Sequence, residues 1–295
     1  MFSSSLDFVS IGAYTKDTIV TRSGTRYVDG GGYSYAAFAA RLLDIRVGAV
    51  TRLAAEDRKS TDLLRSLGVE FVIHESPHST LMRLEYPTDN VDERILTVAE
   101  VADPFEPVHV LDISSKAILV SASIRGEVPL AVVEALRSRT TLLGLDVQGF
   151  VRVRTREGRL AYEPWPEMAS VLALVDVLKS DAVEGEFLTG ERDLHAIARK
   201  LAACGPKEIV LTHKDGVIVH ANGKMHEHPF LPQPLRGRSG RGDTCVGSYV
   251  SRRLTAEPAE AAAWAAALTT LKLEAEGPIR RTREDVEALL RQRYL

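Results

Sequence analysis

The feature that most constrains this chain is the alternation of short apolar runs with helical patterns from residue 108 onward. Strand-like runs at Ala117–Ala122, Thr141–Asp146, Val175–Leu178 and Glu208–Thr212 are separated by helical patterns at Val128–Arg137, Trp165–Leu172, Val183–Leu188 and Leu194–Cys204. Fully apolar strands joined by helices need a parallel sheet covered on both faces, with right-handed crossovers. Two earlier runs, Phe8–Ile11 and Val47–Thr51, fit the same sheet. The expected class is a three-layer α/β/α sandwich with a mainly parallel central sheet, formed as one domain over residues 1–295.

Between these parts the rhythm breaks. Glu70–Ile73, Thr80–Tyr86 and Glu93–Val98 alternate polar with apolar and have no helices between them. This predicts a small, largely antiparallel sheet formed from about residues 17–28 and 70–98. That sheet serves either as a lid over a site, as a structural flap, or as the surface through which two copies form a homodimer. Composition is that of an ordinary globular protein, with 45% hydrophobic and 26% charged residues and a formal net charge of −3. Such a balance gives no electrostatic basis for binding nucleic acid or an anionic membrane. With no stretch long and apolar enough to span a bilayer and no basic leader at the N-terminus, a cytoplasmic protein is expected. Two distant cysteines, Cys204 and Cys245, argue against a disulfide framework.

The chemistry concentrates in Gly237-Arg-Ser-Gly240-Arg241-Gly242-Asp243-Thr-Cys-Val-Gly-Ser248, which opens a helix of small residues. Glycines at 240 and 242 allow close backbone approach, and the helix start turns N–H groups and a positive dipole end toward a ligand. An acid at 243 is out of place if the ligand is only an anion. It fits a carboxylate that takes a proton from a nucleophile beside a phosphate.

Other residues fall on the ligand-bearing edge of the expected sheet. Gly12 ends the first strand, and Asp17 follows either as a solvated turn residue or as a binding group. Gly30, Gly31 and Gly32 precede a helix at Ala36–Leu43, either as turn chemistry or as backbone offered to substrate hydroxyls. Asp146 and Gln148 close one strand. Asp181 and Glu184 follow another, either as helix-capping acids or as site residues. Asn222-Gly223 signals a hairpin.

Taken in order, strand-Gly12, Asp17, Gly30-Gly31, Asp181-x-x-Glu184, Thr212-x-x-x-Gly216 and Gly240-x-Gly242-Asp243 resemble the ribokinase-like (PfkB) carbohydrate kinases from about residue 7 to 290. Gly30-Gly-Gly-Tyr-Ser-Tyr35 and Leu145-Asp-Val-Gln-Gly-Phe-Val-Arg152 are similar to segments of archaeal myo-inositol 3-kinases. The resemblance implies a ribokinase-like fold with a β lid and transfer of the γ-phosphoryl group of ATP to an alcohol. It implies Asp243 as general base and Gly240, Arg241 and Gly242 as the anion hole. Asp17, Gly31, Gly32 and Gln148 would bind substrate. Asp181, Thr212, Gly216, Gly240 and Gly242 would serve the nucleotide, and Glu184 would help hold Mg²⁺ through water.

The chain departs from the family pattern in five places, one of them Tyr35, where sugar-binding members have Asn after Gly-Gly, which argues against an ordinary ribokinase or fructokinase. Gly237-Arg238-Ser239 replaces the usual Asp-Thr-Thr, so the monovalent-cation site of that region is not carried over. Arg241 stands for Ala, where a guanidinium matches phosphate geometry. Asp181 stands for Asn, and Lys214 for a glycine on the nucleotide side. The expected activity is ATP- and Mg²⁺-dependent phosphorylation of a cyclic polyol, with myo-inositol foremost. A sugar or nucleoside kinase, or a catalytically weak ligand-binding regulator, are the competing readings. A dinucleotide-binding dehydrogenase is disfavoured, because no Gly-x-Gly-x-x-Gly turn follows the first strand.

Overall fold

A computed structural model describes residue 2 and residues 5–88 and 95–294. The chain opens with strands Leu6–Ile11 (β1), Thr15–Thr21 (β2) and Gly24–Gly30 (β3), then helix Gly32–Ala40 (α1) and strand Val47–Leu53 (β4). A short helix Asp62–Ser66 (α2) leads to strands Glu70–Glu75 (β5), Thr80–Glu85 (β6), Ile95–Glu100 (β7) and Ser115–Val120 (β8). Helix Leu130–Arg137 (α3), strand Leu142–Asp146 (β9) and the single turn Gln148–Val151 (α4) follow. Next come a hairpin of Arg152–Arg154 (β10) and Leu160–Tyr162 (β11), then helix Met168–Leu172 (α5) and strand Val177–Asp181 (β12). Helices Ala182–Thr189 (α6) and Leu194–Ala202 (α7) precede strands Glu208–Thr212 (β13), Gly216–Ala221 (β14) and Lys224–Pro229 (β15). The chain closes with helices Arg241–Arg252 (α8), Pro258–Leu273 (α9) and Arg283–Arg293 (α10).

A nine-stranded sheet in the order β15-β14-β13-β12-β9-β8-β1-β4-β5 forms the centre. Strands β5 to β13 in that order pair in parallel, and β13-β14-β15 close one edge as antiparallel hairpins. The turn at Asn222 and Gly223, both at positive φ, is the tight type that the dipeptide selects. One face buries Val132, Leu136, Val171, Ile197 and Leu201 from the α3, α5 and α7 layer. The other buries Tyr33, Ala36, Cys245, Val246, Ala261 and Ala265 from α1, α8 and α9. Alanines on α9 and Gly247 on α8 keep this second layer thin, since a Cβ at 247 would lie 2.7 Å from that of Ala36. The chain leaves β1 toward β4 and β5 on one side and returns through β8 to β13 on the other. The order therefore reverses between β1 and β8, the place where open α/β sheets form a crevice at their C-terminal strand ends.

The small sheet exists, but with different membership. Its order is β3-β2-β6-β7, and β2 and β6 run parallel within it. The run expected at Glu70–Ile73 is not part of it: β5 pairs in parallel with β4 at the edge of the main sheet. The short connection through Ala55–Ser66 makes an ordinary crossover, and edge placement leaves β5 partly exposed along its length, with Phe71, Val72 and Ile73 flanked by polar residues. The expected strand at Glu93–Val98 is seen from Ile95, and residues 93 and 94 lie outside the described ones. The helix expected at Arg58–Leu67 is split into a 3₁₀ turn at Ala55–Thr61 and α2.

Candidate active site

A cleft of about 310 Å³ lies at the switch point, between the strand ends of the main sheet and the small sheet. The loops after β1 and β8 are stitched at its floor, where Ser121 N–H donates to the Ile11 carbonyl at 2.8 Å. Glu127, buried with no cationic partner among the described residues, accepts from the N–H groups of Ala13 at 2.6 Å and Ser123 at 2.9 Å. Burial raises its carboxyl to about 7.

Asp243 sits in the first turn of α8, and Gly240 at φ 75° is the N-cap. N–H groups of a first helical turn have no intrahelical acceptors, although that of Arg241 turns back to the Arg238 carbonyl at 3.2 Å. The Asp243 carboxylate lies over Gly32, where any side chain would strike its Oδ1. Withdrawal from water holds the Asp243 carboxyl above the usual range, and the Lys179 ammonium pulls it back down. Burial makes such a carboxylate more basic while the nearby cation opposes the shift, an arrangement suited to accepting a proton.

Asp17, on β2, belongs to the same corner. A Cβ at Gly30 would lie 2.7 Å from Asp17 Oδ2, and the buried Oδ1 has no hydrogen-bond partner. Burial moves Asp17 up to about 6, opposed by a hydrogen bond from Thr15 and assisted by the charges of Asp243 and Asp29. One further buried hydroxyl of the cleft lining, Thr212 Oγ1, also lacks a partner. Buried polar atoms are normally satisfied, so these two are the places in the cleft where a bound group would pair. Met82, Leu84 and Leu96 of the small sheet close the cleft from above.

On the other side is an ion cluster centred on Lys179, a residue absent from the sequence expectations. Lys179, 3% exposed, donates to Asp146 Oδ1 at 3.1 Å and lies 3.6 Å from Glu184 Oε2. Its ammonium stands beneath the first turn of α8, because a Cβ at Gly242 would lie 2.9 Å from Lys179 Nζ. Flanking carboxylates outweigh desolvation and keep this ammonium charged. Glu184 also accepts from Arg152 at 3.1 Å and from the Asp181 N–H at 2.8 Å, and Asp181 Oδ1 accepts in return from the Glu184 N–H at 2.8 Å. The pair caps α6, and its Asp181 also lines the cleft.

The expected residues Asp17, Gly31, Gly32, Gln148, Asp181, Thr212, Gly240, Arg241, Gly242 and Asp243 all line the cleft. Glu184 is fully buried behind them, and Gly216 stands apart. The latter is a glycine because a Cβ would meet the backbone of His228 and Pro229 on β15. Lys179, Arg152, Arg238 and Ser123 complete the lining. The signal for Lys179 was a lone charge inside the apolar strand Val177–Asp181, two residues before its acidic end.

Mg²⁺ characteristically keeps several waters and takes one or two carboxylates. Among the described residues no group of three or more His, Cys, Asp or Glu is set to hold a metal. Glu184 has both oxygens engaged by Arg152 and the Asp181 N–H, whereas Asp181 Oδ1 alone is used by the cap. A hydrated ion fits at Asp181, with Glu184 as its support.

Comparison with known proteins gives a concordant picture. The model of the pfkB family carbohydrate kinases matches residues 6–284. A pyrophosphate-dependent kinase in the ribokinase family, solved with a pyrophosphate analogue and myo-inositol, is 33% identical, with a TM-score of 0.88 over 95% of this chain and 99% of that one. A pyrophosphate-dependent myo-inositol-1 kinase converted by mutation into a myo-inositol-3 kinase is 33% identical, with a TM-score of 0.87 over 98% of this chain and 100% of that one. The cytidine kinase of Thermococcus kodakarensis is 23% identical over 86% of this chain and 91% of its own length. The chain belongs to the pfkB family of carbohydrate kinases and is a phosphotransferase acting on a small-molecule hydroxyl.

Proposed function

We propose that this kinase phosphorylates a cyclic polyol, myo-inositol foremost, and draws the phosphoryl group from inorganic pyrophosphate. The observation that carries the reading is the division of the cleft. One end holds Asp17 with its unpaired oxygen, Gln148 and the apolar Met82, Leu84 and Leu96. The other brings Lys179, Arg238 and Arg241 to the start of α8. A polyol ring offers neighbouring hydroxyls to a carboxylate and an amide, and a C–H face to aliphatic side chains. Pyrophosphate has no base to stack, so charge must supply its affinity, and guanidinium groups match its oxygens in pairs. The two relatives at 33% identity named for pyrophosphate and myo-inositol support the same reading.

In the reaction, Asp243 accepts the proton of one substrate hydroxyl. The freed oxygen forms a bond to the terminal phosphorus as the bridging P–O bond breaks. Orthophosphate leaves, its charge met by Lys179, Arg241 and the first-turn N–H groups of α8. Mg²⁺, when bound at Asp181, neutralises donor charge. The small sheet acts as the lid that excludes water. ATP, implied by the family resemblance, is the competing donor, and the cytidine kinase relative makes a nucleoside the competing acceptor.

The test is a matrix of pyrophosphate and ATP against polyols, hexoses and nucleosides, run with the native chain and with Arg241→Ala. The reading predicts turnover with pyrophosphate and a cyclic polyol, and a donor KM raised at least tenfold by the substitution with little change in acceptor KM. Turnover with ATP alone, or an Arg241→Ala effect confined to the acceptor, would overturn it.

A further inference from the structure

We propose that the Lys272 ammonium is a tethered cation of this site, a positioning residue that shapes the loop entering the anion hole in place of a soluble monovalent ion. Lys272 lies in the last turn of α9 and is 1% exposed. Its Nζ donates to the Gly237 carbonyl at 2.9 Å and to the Ser239 carbonyl. Neither acceptor is helical. Both belong to the loop that ends at Gly240, the N-cap of α8.

The same ammonium stands 5.7 Å from the centroid of the Tyr35 ring. That ring fills the space over Gly240, where any Cβ would collide with it. Lys272, Tyr35 and Gly240 thus form one packed column from α9 to the phosphate-facing turn. Among the described residues no carboxylate forms an ion pair with Lys272. Burying an ammonium without a carboxylate is costly. Ordinary helix-end stabilisation would use exposed lysine and the helix's own carbonyls. Here the charge is spent on loop carbonyls instead. An ammonium cradled by carbonyl oxygens occupies the kind of site that also accepts K⁺.

The groups facing Lys272 are Tyr35 from α1 and Arg241 and Asp243 from α8, together with the two loop carbonyls. Burial lowers the ammonium to about 8, with Asp243 opposing and Arg241 assisting. A lysine depressed in this way is charged below that pH and neutral above it, so the loop loses its cation as pH rises through about 8.

The inference rests on the proposed donor only for the choice of probe, and equilibrium binding of pyrophosphate by calorimetry is the measurement. If only ATP binds, the same titrations are run with ATP. In buffers made with tetramethylammonium, wild-type affinity should be unchanged by added K⁺ and should fall as pH passes from about 7 to 9. Lys272→Ala should lose about 30-fold in affinity, and K⁺ or NH₄⁺ should restore most of it. Lys272→Arg should keep the affinity and abolish the fall above pH 8. Should either variant fail to fold, the two wild-type titrations decide alone. Wild-type binding that requires K⁺, or that stays flat across this pH range, overturns the proposal, as does undiminished affinity in Lys272→Ala. Donor binding with the expected ion and pH behaviour but no turnover on any polyol counts against the substrate assignment and leaves Lys272 in its role.

Discussion

At the scale of single residues the two carboxylates of the substrate corner, both raised by burial, act in their ionised form. Asp243 must be ionised to take a proton, so Asp243→Asn should lower kcat by about 10³-fold while acceptor binding survives. Steady-state kinetics with an independent binding assay checks both halves. Asp17 is held near 6 against an ordinary value of 3.8, chiefly by burial. The sign of the linkage follows. An acid whose folded value is raised binds its proton more tightly when folded, so its charge costs stability once pH rises above both values. Asp17→Asn should therefore raise Tm by a few degrees at pH 8, an advantage that disappears near pH 4, and should weaken acceptor binding. Thermal scans at the two pH values separate this from a neutral surface change. In the unsubstituted protein, acceptor affinity should fall as pH drops through about 6, because a protonated Asp17 loses the acceptor capacity of one oxygen.

Among elements, α8 and β12 carry the site between them. Gly240 has φ 75° and the Tyr35 ring over it, so Gly240→Ala meets both a strained backbone and a collision. A loss of about 2 kcal/mol in stability, with larger loss of activity, is expected in chemical denaturation and rate measurements. Lys179 on β12 is the cation that Asp146, Glu184 and Asp243 share. Lys179→Met should destabilise by about 3–5 kcal/mol, since removing one partner leaves buried carboxylates uncompensated. The substitution Asp146→Asn made together with it should recover part of the loss, as a double-mutant cycle would reveal. These two elements also show what sequence can and cannot reveal. Gly240-x-Gly242-Asp243 is local: glycines, an acid and a helix start within four residues, so its place at the cleft was legible in one dimension. Lys179 acquires meaning only when β12 pairs with β9 and brings Asp146 alongside, and Lys272 only when α9 packs behind the loop. Both are contacts made across long stretches of chain, and neither residue type announces itself in a motif.

For the whole molecule, the parallel sheet was legible because strand burial on both faces leaves unbroken apolar runs. The small sheet was legible only in outline. β5 is a short apolar run flanked by polar residues and partly exposed along its length, so pattern alone does not assign it to the main sheet rather than the small one. The reversal of strand order between β1 and β8 then explains why residues from Asp17 to Asp243 meet at one place. No described helix is long and apolar enough to cross a membrane. The central claim is that this crevice passes a phosphoryl group from pyrophosphate to a polyol hydroxyl with Asp243 as the base. Phosphorus NMR of the protein with pyrophosphate, Mg²⁺ and myo-inositol tests it most directly. The account predicts an inositol monophosphate signal growing in step with orthophosphate, and none above background with Asp243→Asn. Orthophosphate released without a phosphate ester, or the same ester formed at an unchanged rate by Asp243→Asn, would contradict it.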